Sequence, residues 1–288
     1  MSFARAILPG QRLHLQHGPI DLVIGADGAR ASAFQAAEMA FDGVLQGLVD
    51  ELDLLHREGW RGETPPYDIG KVQSPVALRM MRVVARHCGF VTPMAAVAGA
   101  VADHVLTAMI GAGGLRRAYV NNGGDIALHL APGERFRLAV AGLDGAGLGA
   151  VEIGAEDGIG GVATSGQGGR SLSFGIADSV TVLARDAASA DVAATLIANA
   201  VDIPGHAVIE RVPAQQLRPD SDLGKRLVVA GVGPLSDAEI ATALETGTRV
   251  ADNMRAQGLI TAAALYLRGQ VRIAGDMDVI GAKELDHA

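Results

Sequence analysis

The sequence predicts an α+β fold in which a mostly antiparallel sheet packs against helices. Three observations lead to this class. Apolar residues recur at helical steps in some stretches and alternate with polar residues in others. The helical and strand-like stretches come in runs, as is typical of α+β proteins. Glycine-containing turns separate neighbouring strand candidates, which favours hairpins and therefore antiparallel pairing.

The first part of the chain holds two strand candidates followed by helix candidates. Gly18 marks a turn between the strands, and Pro75 suits the first turn of a helix. The segment 59–67, with two prolines and two glycines, is predicted to be a loop. We predict strands at 12–16 and 20–24, and helices at 32–55, 75–88 and 94–110.

Beyond residue 114 the periodicity is that of strands, interrupted by two helix candidates. Ser236 and Glu239 form a capping box that predicts the start of the second of these helices. We expect one domain over 1–288, or two closely joined lobes. Strands are predicted at 116–120, 126–130, 136–141, 149–153, 160–164, 179–184, 207–211, 227–232, 259–267 and 270–274, and helices at 189–201 and 237–257.

Composition and charge exclude several classes of function. With 288 residues, a net charge of -8 and only 3% aromatic residues, the chain is not expected to bind nucleic acid. The single cysteine, Cys88, is expected to pack near a helix end and suits a reducing compartment. The N-terminus shows no continuous apolar segment, so we expect no signal peptide and no membrane association. The expected location is cytoplasmic.

The segment Asn121-Asn122-Gly123-Gly124-Asp125 is the most informative part of the sequence. It separates two apolar strands, and Asn-Gly in that position is a strong hairpin signal. A turn does not require two asparagines followed by two glycines, nor an aspartate, Asp125, at the start of the next strand. Exposed glycine amides would let phosphates or a flavin ring come close. Both interpretations, a simple turn and a ligand-binding loop, stay open.

A second glycine-rich segment follows about forty residues later. Thr164, Ser165, Gly166 and Arg170 offer hydroxyls, backbone amides and one cation that could hold a pyrophosphate. The segment lacks the ending of a phosphate-binding P-loop and does not open a helix. A flexible connection is the alternative.

A carboxylate and a hydroxyl lie near the start of the predicted helix 189–201. Asp191 and Thr195 are four residues apart, so their side chains share one face of a helix. Oxygen ligands of this kind suit Mg²⁺. Alternatively, Asp191 only stabilises the positive end of the helix. No histidine grouping indicates zinc, and no Gly-x-Ser-x-Gly segment indicates a serine hydrolase.

Taken together, these segments resemble the ApbE-type proteins, the FAD:protein FMN transferases. The segment 121–126 resembles their N-x-G-G-D-I motif, and Ser165-Gly166 resembles the Ser-Gly turn that follows. The segments 179–184 and 190–195 are similar to their S-V-T-V strand and A-D-x-x-A-T helix. The resemblance covers about 92–201 and implies an ApbE-like fold, FAD or FMN as cofactor, and Mg²⁺ ligands at Asp191 and Thr195.

The chain departs from the ApbE pattern in two places. The His-x-x-Asp-Pro-x-Thr-Gly segment is absent, with 171–178 in its place, and 92–99 lacks the acid and the lysine of the D-L-G-G-I-A-K-G helix start. The chain therefore looks like the shorter, uncharacterised cytoplasmic ApbE-related branch, also labelled thiamine-biosynthesis-like.

Three functional hypotheses follow from the residues and the resemblance. The first is a flavin- or nucleotide-binding protein, in its most specific form a Mg²⁺-assisted FMN transferase. The second is an enzyme acting on another small phosphorylated or carboxylated metabolite. The third is a non-catalytic protein that self-associates through the small-residue helix 94–110, and a homodimer is expected there. No catalytic residue is assigned.

Overall fold

A computed structural model describes residues 3–58, 69–141, 147–169, 171–276 and 279–280. The chain forms two compact units, and neither is continuous in sequence. The first unit consists of Met1–Phe136, Gly154–Ala163 and Ala184–Val192. The second unit consists of Arg137–Ile153, Thr164–Leu183 and Ala193–Ala288. The expectation of one domain with two joined lobes stays a prediction.

The described residues form α-helices and β-strands with the following bounds. The α-helices are α1 (Arg30–Phe41), α2 (Val44–Val49), α3 (Leu52–Leu55), α4 (Pro75–Val84), α5 (Val97–Gly111), α6 (Ala187–Ala200), α7 (Ala214–Leu217) and α8 (Asp237–Ala256). The strands are β1 (Ala4–Leu8), β2 (Arg12–His17), β3 (Ile20–Gly28), β4 (Leu115–Asn122), β5 (Asp125–Leu130), β6 (Arg135–Ala141), β7 (Gly147–Gly154), β8 (Gly161–Ser165), β9 (Ser179–Ala184), β10 (Ile209–Pro213), β11 (Leu227–Val232), β12 (Ala262–Leu267), β13 (Gln270–Ala274) and β14 (Val279–Ile280).

The first unit is built on antiparallel strands in the order β1-β2-β3-β4-β5-β8. Alternate residues point to opposite faces of such a sheet. One face is apolar and buried, with Leu13 and Leu15 on β2, Ile24 on β3 and Val120 on β4 all fully buried. Helices α1 and α5 pack on the sheet. The alternate positions form an outer face that carries charged and aromatic side chains.

The second unit contains smaller groups of strands. Strands β9, β12 and β13 pair antiparallel, and α8 packs on β12 and β13. Strands β10 and β11 form a separate hairpin, and β6, β7 and β14 form a three-stranded group. Helix α8 starts with the predicted capping box, in which Ser236 and Glu239 satisfy each other's backbone amides. The α+β class with mostly antiparallel strands is confirmed.

Several predicted element boundaries are wrong. The helix predicted over 32–55 is three helices, because Gly43 adopts a left-handed backbone with φ 78° between α1 and α2. Helix α4 ends at Val84 rather than Cys88. Cys88 is exposed, so the packing role expected for it is wrong. Strand β1 was not predicted, because four of its five residues are exposed and the strand shows no alternating pattern. The predicted loop 59–67 lies outside the described residues.

Helix α5 uses its small residues inside the first unit. A side chain at Gly99 would stand 2.3 Å from the Ala187 carbonyl oxygen, so the backbones of α5 and α6 touch there. Among the described residues, Pro93–Gly111 is the one stretch long and apolar enough to cross a membrane, and half of it is buried within the fold. Self-association through this helix stays a prediction.

Candidate functional site

The segment 121–125 forms a tight hairpin turn between β4 and β5. Asn122 pairs with Asp125 across the hairpin, and Gly123 and Gly124 form its two-residue loop with φ of 68° and 113°. Positive φ at both positions is what such loops need. The Asn121 carboxamide oxygen accepts a hydrogen bond from the Gly124 amide at 2.8 Å. The turn interpretation is confirmed, and the ligand-binding interpretation stays a prediction.

The hairpin is tied to the start of helix α5 by a buried amide side chain. Asn122 is 5% exposed, and its Nδ2 donates to the Ala98 carbonyl oxygen at 3.2 Å. A turn alone does not require this contact, because the neighbouring Asn121 already closes the loop. The Asn122 side chain therefore fixes the position of the hairpin relative to the first turn of α5.

Helices α5 and α6 cap each other within the first unit. Asp103 on α5 accepts hydrogen bonds from the amides of Ala187 and Ala188, both at 3.0 Å, in the first turn of α6. Asp191 on α6 accepts one from the amide of Gly99, at 3.0 Å, in the first turn of α5. First-turn amides have no partner within their own helix, so each carboxylate satisfies groups that would otherwise be orphaned.

The two capping carboxylates meet different charges. Burial raises the pKa of Asp103 to about 6 and repulsion from Asp186 adds to the rise, while the two α6 amides and Arg79, whose Nη1 lies 3.5 Å from Oδ2, act in the opposite direction. Burial also raises the pKa of Asp191, and repulsion from Asp125 raises it further, against the amides of Gly99 and Ala98. Among the described residues, no basic side chain lies within ion-pair distance of Asp191.

This charge arrangement fits a divalent cation of the Mg²⁺ type. Two carboxylates close enough to repel each other in a partly buried place would both be stabilised in their charged form by a cation. The described residues contain no cluster of three or more His, Cys, Asp or Glu side chains placed to hold a metal ion. Mg²⁺ uses one or two carboxylates and keeps waters or phosphate oxygens as its other ligands. Thr195 lies one turn after Asp191 on α6.

The second glycine-rich segment belongs to the second unit and packs on its own neighbours. Thr164 Oγ1 and Thr181 Oγ1 share a hydrogen bond at 2.9 Å. Gly166 has φ 146°, and a side chain there would stand 2.5 Å from the Asp178 carbonyl oxygen. This glycine is therefore explained by backbone packing. Ser165 is half-buried, and Arg170 lies outside the described residues.

The structure brings together part of the predicted site. Asp125 and Asp191 interact within the first unit, and Asn122 reaches the same helix start. Thr164, Ser165, Gly166 and Thr195 belong to the second unit, and their part in the site stays a prediction. The capping pair of Asp103 with α6 was not predicted. Nothing local in the sequence indicates it, since the bonded residues lie 84 and 85 positions apart.

Comparisons with known proteins point to one family. The family model described as AbpE bacteria matches residues 5–273. The chain is 43% identical over 138 residues to a UPF0280 protein of Methanothrix thermoacetophila, which is 47% of this chain and 56% of that protein. It is also 37% identical over 139 residues to a UPF0280 protein of Archaeoglobus fulgidus. This match covers 48% of this chain and 57% of that protein. The chain spans about half the length of the curated relatives it matches.

Solved structures show more distant likenesses. The chain is similar to the apbe protein of Thermotoga maritima, with a TM-score of 0.48 and 11% identity over 99% of both chains. It is also similar to the flavin transferase ApbE of Vibrio cholerae, with a TM-score of 0.41 and 12% identity over 94% of this chain and 97% of that one. At these values neither likeness carries an argument.

Proposed function

Because this chain belongs to the AbpE bacteria family, with the ApbE-type motifs that its sequence displays, we propose that it binds a flavin nucleotide, FAD or FMN. A divalent cation such as Mg²⁺ would be held at Asp191. In its most specific form the proposal is FMN transfer from FAD. The observation that carries the cation part is the repelling pair of Asp125 and Asp191.

The physical argument for a cation starts from the cost of burying charge. A carboxylate removed from water loses solvation, and a second carboxylate nearby adds repulsion. The amides of Gly99 and Ala98 compensate Asp191 in part, but they bring no full positive charge. A divalent cation would do so, and its remaining ligand positions would be open to the oxygens of a pyrophosphate.

Other predicted residues complete the proposed site. The glycine amides of Gly123 and Gly124 would line it on one side, with Asn121 holding the turn. Thr164, Ser165, Gly166 and Arg170 are proposed as phosphate contacts, and Thr195 as a second oxygen ligand of the cation. These assignments rest on the resemblance to the ApbE motifs.

The transfer reaction would exchange a phosphoanhydride bond for a phosphoester bond. The bond between the flavin-side phosphorus and the bridging oxygen of FAD breaks, and AMP leaves with that oxygen. A hydroxyl oxygen of an acceptor protein bonds to the phosphorus and gives up its proton to a base. The cation would supply charge neutralisation on the pyrophosphate oxygens. Within this chain, Asp191 would hold that cation and the turn at 121–125 would position the phosphates.

Flavin binding is tested most simply by fluorescence. Titration of FAD with purified protein should quench flavin fluorescence, and the apparent affinity should rise at least about tenfold when Mg²⁺ replaces EDTA, since a charge-assisted contact is added. Asp191→Asn should remove this Mg²⁺ dependence. Retained dependence in Asp191→Asn would overturn the cation assignment.

A matched control separates a site effect from a general charge effect. Asp50 is an exposed carboxylate of the first unit that accepts a hydrogen bond from Gln46. Asp50→Asn removes the same charge and should leave FAD quenching and its Mg²⁺ dependence unchanged. If wild-type protein binds Mg²⁺ but not FAD, the second hypothesis, an enzyme for another phosphorylated or carboxylated metabolite, replaces the first.

A further inference from the structure

A cleft lies on the outer face of the sheet in the first unit, on the side away from the buried Leu13 and Val120. Strand alternation places Asp27, Arg117 and Tyr119 there, because each occupies the position next to a core residue. Asp27 on β3 pairs directly with Arg117 on β4, and Gly25 pairs with Tyr119. The cleft has a volume of about 180 Å³, and its side-chain lining includes Gln11, Arg12, Asp27, Arg30, Arg117 and Tyr119.

Positive charge dominates this cleft although the chain as a whole is acidic. Three guanidinium groups and one carboxylate line it, in a chain whose net charge is -8. Outside the lining, Glu134 Oε2 lies 3.5 Å from Arg117 Nε. Arg117 forms a two-nitrogen contact with Asp27 Oδ2, from Nε at 3.0 Å and Nη2 at 2.6 Å. Arg30 lies 3.6 Å from the other oxygen of the same carboxylate. Asp27 thus holds two arginines at the cleft wall.

The third arginine leaves donors available. Arg12 is exposed, and its Nε donates to the Pro9 carbonyl oxygen at 3.0 Å. Its two terminal amino groups have no protein partner among the described residues. A guanidinium fork of this kind matches the oxygens of a phosphate or a carboxylate.

An aromatic side chain forms the floor of the cleft. A side chain at Gly25 would stand 2.3 Å from Tyr119 Cε1, so the tyrosine ring lies directly on the glycine backbone. Phe136 meets the ring of Tyr119 edge-on, with centroids 6.1 Å apart, and the Arg117 guanidinium lies 5.8 Å from the centre of Phe136. The floor is therefore aromatic, while the rim is basic.

We propose that this cleft binds a small phosphate monoester, with the phosphate on the arginine rim and the organic part on Tyr119. None of the residues that line the cleft belongs to the proposed flavin site. The cleft is thus a site separate from the proposed flavin site. The plain alternative is an ion-pair network that only covers the sheet, as surface ion pairs often do.

Phenyl phosphate is the probe, titrated calorimetrically into the full chain at low ionic strength and in EDTA, which removes any cation-dependent binding. Arg12→Gln should weaken its affinity at least about tenfold, since one charge-assisted fork is lost. Arg5→Gln, at an exposed arginine of β1 that pairs with Glu38, is the matched control and should stay within about twofold of wild type. Asp191→Asn should bind like wild type.

The outcomes separate the proposal from its alternatives. Equal weakening by Arg12→Gln and Arg5→Gln, or no heat from phenyl phosphate with wild type, would overturn it and leave the ion-pair network. Tighter binding of succinate than of phenyl phosphate would overturn the phosphate assignment. Far-ultraviolet circular dichroism of Arg12→Gln should match wild type, because Arg12 contributes one exposed hydrogen bond to the fold.

Discussion

Asp103 and Asp191 occupy similar places and differ in the charge that faces them. Each lies on one helix and accepts hydrogen bonds from the first-turn amides of the other. Another carboxylate repels each of them, Asp186 in the case of Asp103 and Asp125 in the case of Asp191. Among the described residues, a guanidinium lies at ion-pair distance from Asp103, that of Arg79, and none does from Asp191. The capping geometry alone would make both carboxylates structural. We propose a cation at Asp191 because its repulsion from Asp125 is not offset by a basic side chain among the described residues.

The comparison predicts opposite responses to mutation. Removing Asp103 should cost stability and spare cation binding, while neutralising Asp191 should spare stability and remove cation binding. The contact that serves both is the crossing of α5 and α6 at Gly99. Mutations at that crossing and at each carboxylate test this comparison.

The largest effect is expected at the helix crossing. Gly99→Ala places a methyl carbon 2.3 Å from the Ala187 carbonyl oxygen. This distance is too short for two non-bonded atoms, so the two helices must separate. We expect a loss of at least about 3 kcal/mol in the free energy of unfolding, measured by urea denaturation. Gly111→Ala is the control, because a side chain at the end of the same helix meets nothing within 4 Å. Equal stability of the two variants would refute the close crossing.

The next effect separates the two carboxylates. Asp103→Ala leaves the amides of Ala187 and Ala188 buried without an acceptor, and we expect a loss of about 2–4 kcal/mol in unfolding free energy. Asp191→Asn keeps an acceptor for Gly99 and removes the repulsion with Asp125. The unfolding free energy of Asp191→Asn should either rise or fall by less than about 1 kcal/mol. The reverse order of stabilities would contradict the distinction drawn between them.

The sequence predicts the strands of the fold better than its site. Strands such as Ser179–Ala184 and Leu227–Val232 come out with their observed bounds, because alternation and flanking turn residues are local signals. Strand β1 carries no such signal, since it lies exposed at the sheet edge. The break at Gly43 was missed because a glycine inside an apolar helical stripe does not show its backbone angle in advance.

The sequence predicts the hairpin because a short motif encodes it, and misses contacts between residues that are distant in the chain. The hairpin at 121–125 is a local pattern with a known geometry. The bond from Gly99 to Asp191 joins residues 92 positions apart, and neither residue type indicates it. The arginine cleft is likewise assembled from the outward positions of separate strands, which read in sequence as ordinary solvated residues.

A pH effect of intermediate size should come from Asp103. Its pKa in the folded chain is raised to about 6, so the folded state holds a proton that the unfolded state has already lost above pH 4. Stability relative to Asp103→Asn should therefore fall as pH rises from about 4 through 6, by about 1–3 kcal/mol. Urea denaturation of both proteins at pH 5 and pH 7.5 measures this difference. A difference that stays constant would show that the carboxyl titrates normally.

The smallest effect concerns the hairpin turn. Asn121→Ala removes the hydrogen bond to the Gly124 amide, in an exposed turn whose backbone is set by its glycines. The unfolding free energy should fall by about 0.5–1 kcal/mol. The FAD affinity should fall more than this stability loss suggests, because the turn is proposed to position phosphates. Fluorescence titration and urea denaturation of the same variant check both statements.

A direct measurement of cation binding, without any flavin, tests the proposed cation site at Asp191. Mn²⁺ can replace Mg²⁺, and the fall of its free electron paramagnetic resonance signal counts bound ions. We predict one bound Mn²⁺ per chain for wild type, with affinity that weakens as pH falls and Asp191 takes up a proton. Asp191→Asn should lose this ion and Asp103→Asn should keep it. Unchanged Mn²⁺ binding in Asp191→Asn would contradict the proposed role of the repelling carboxylate pair.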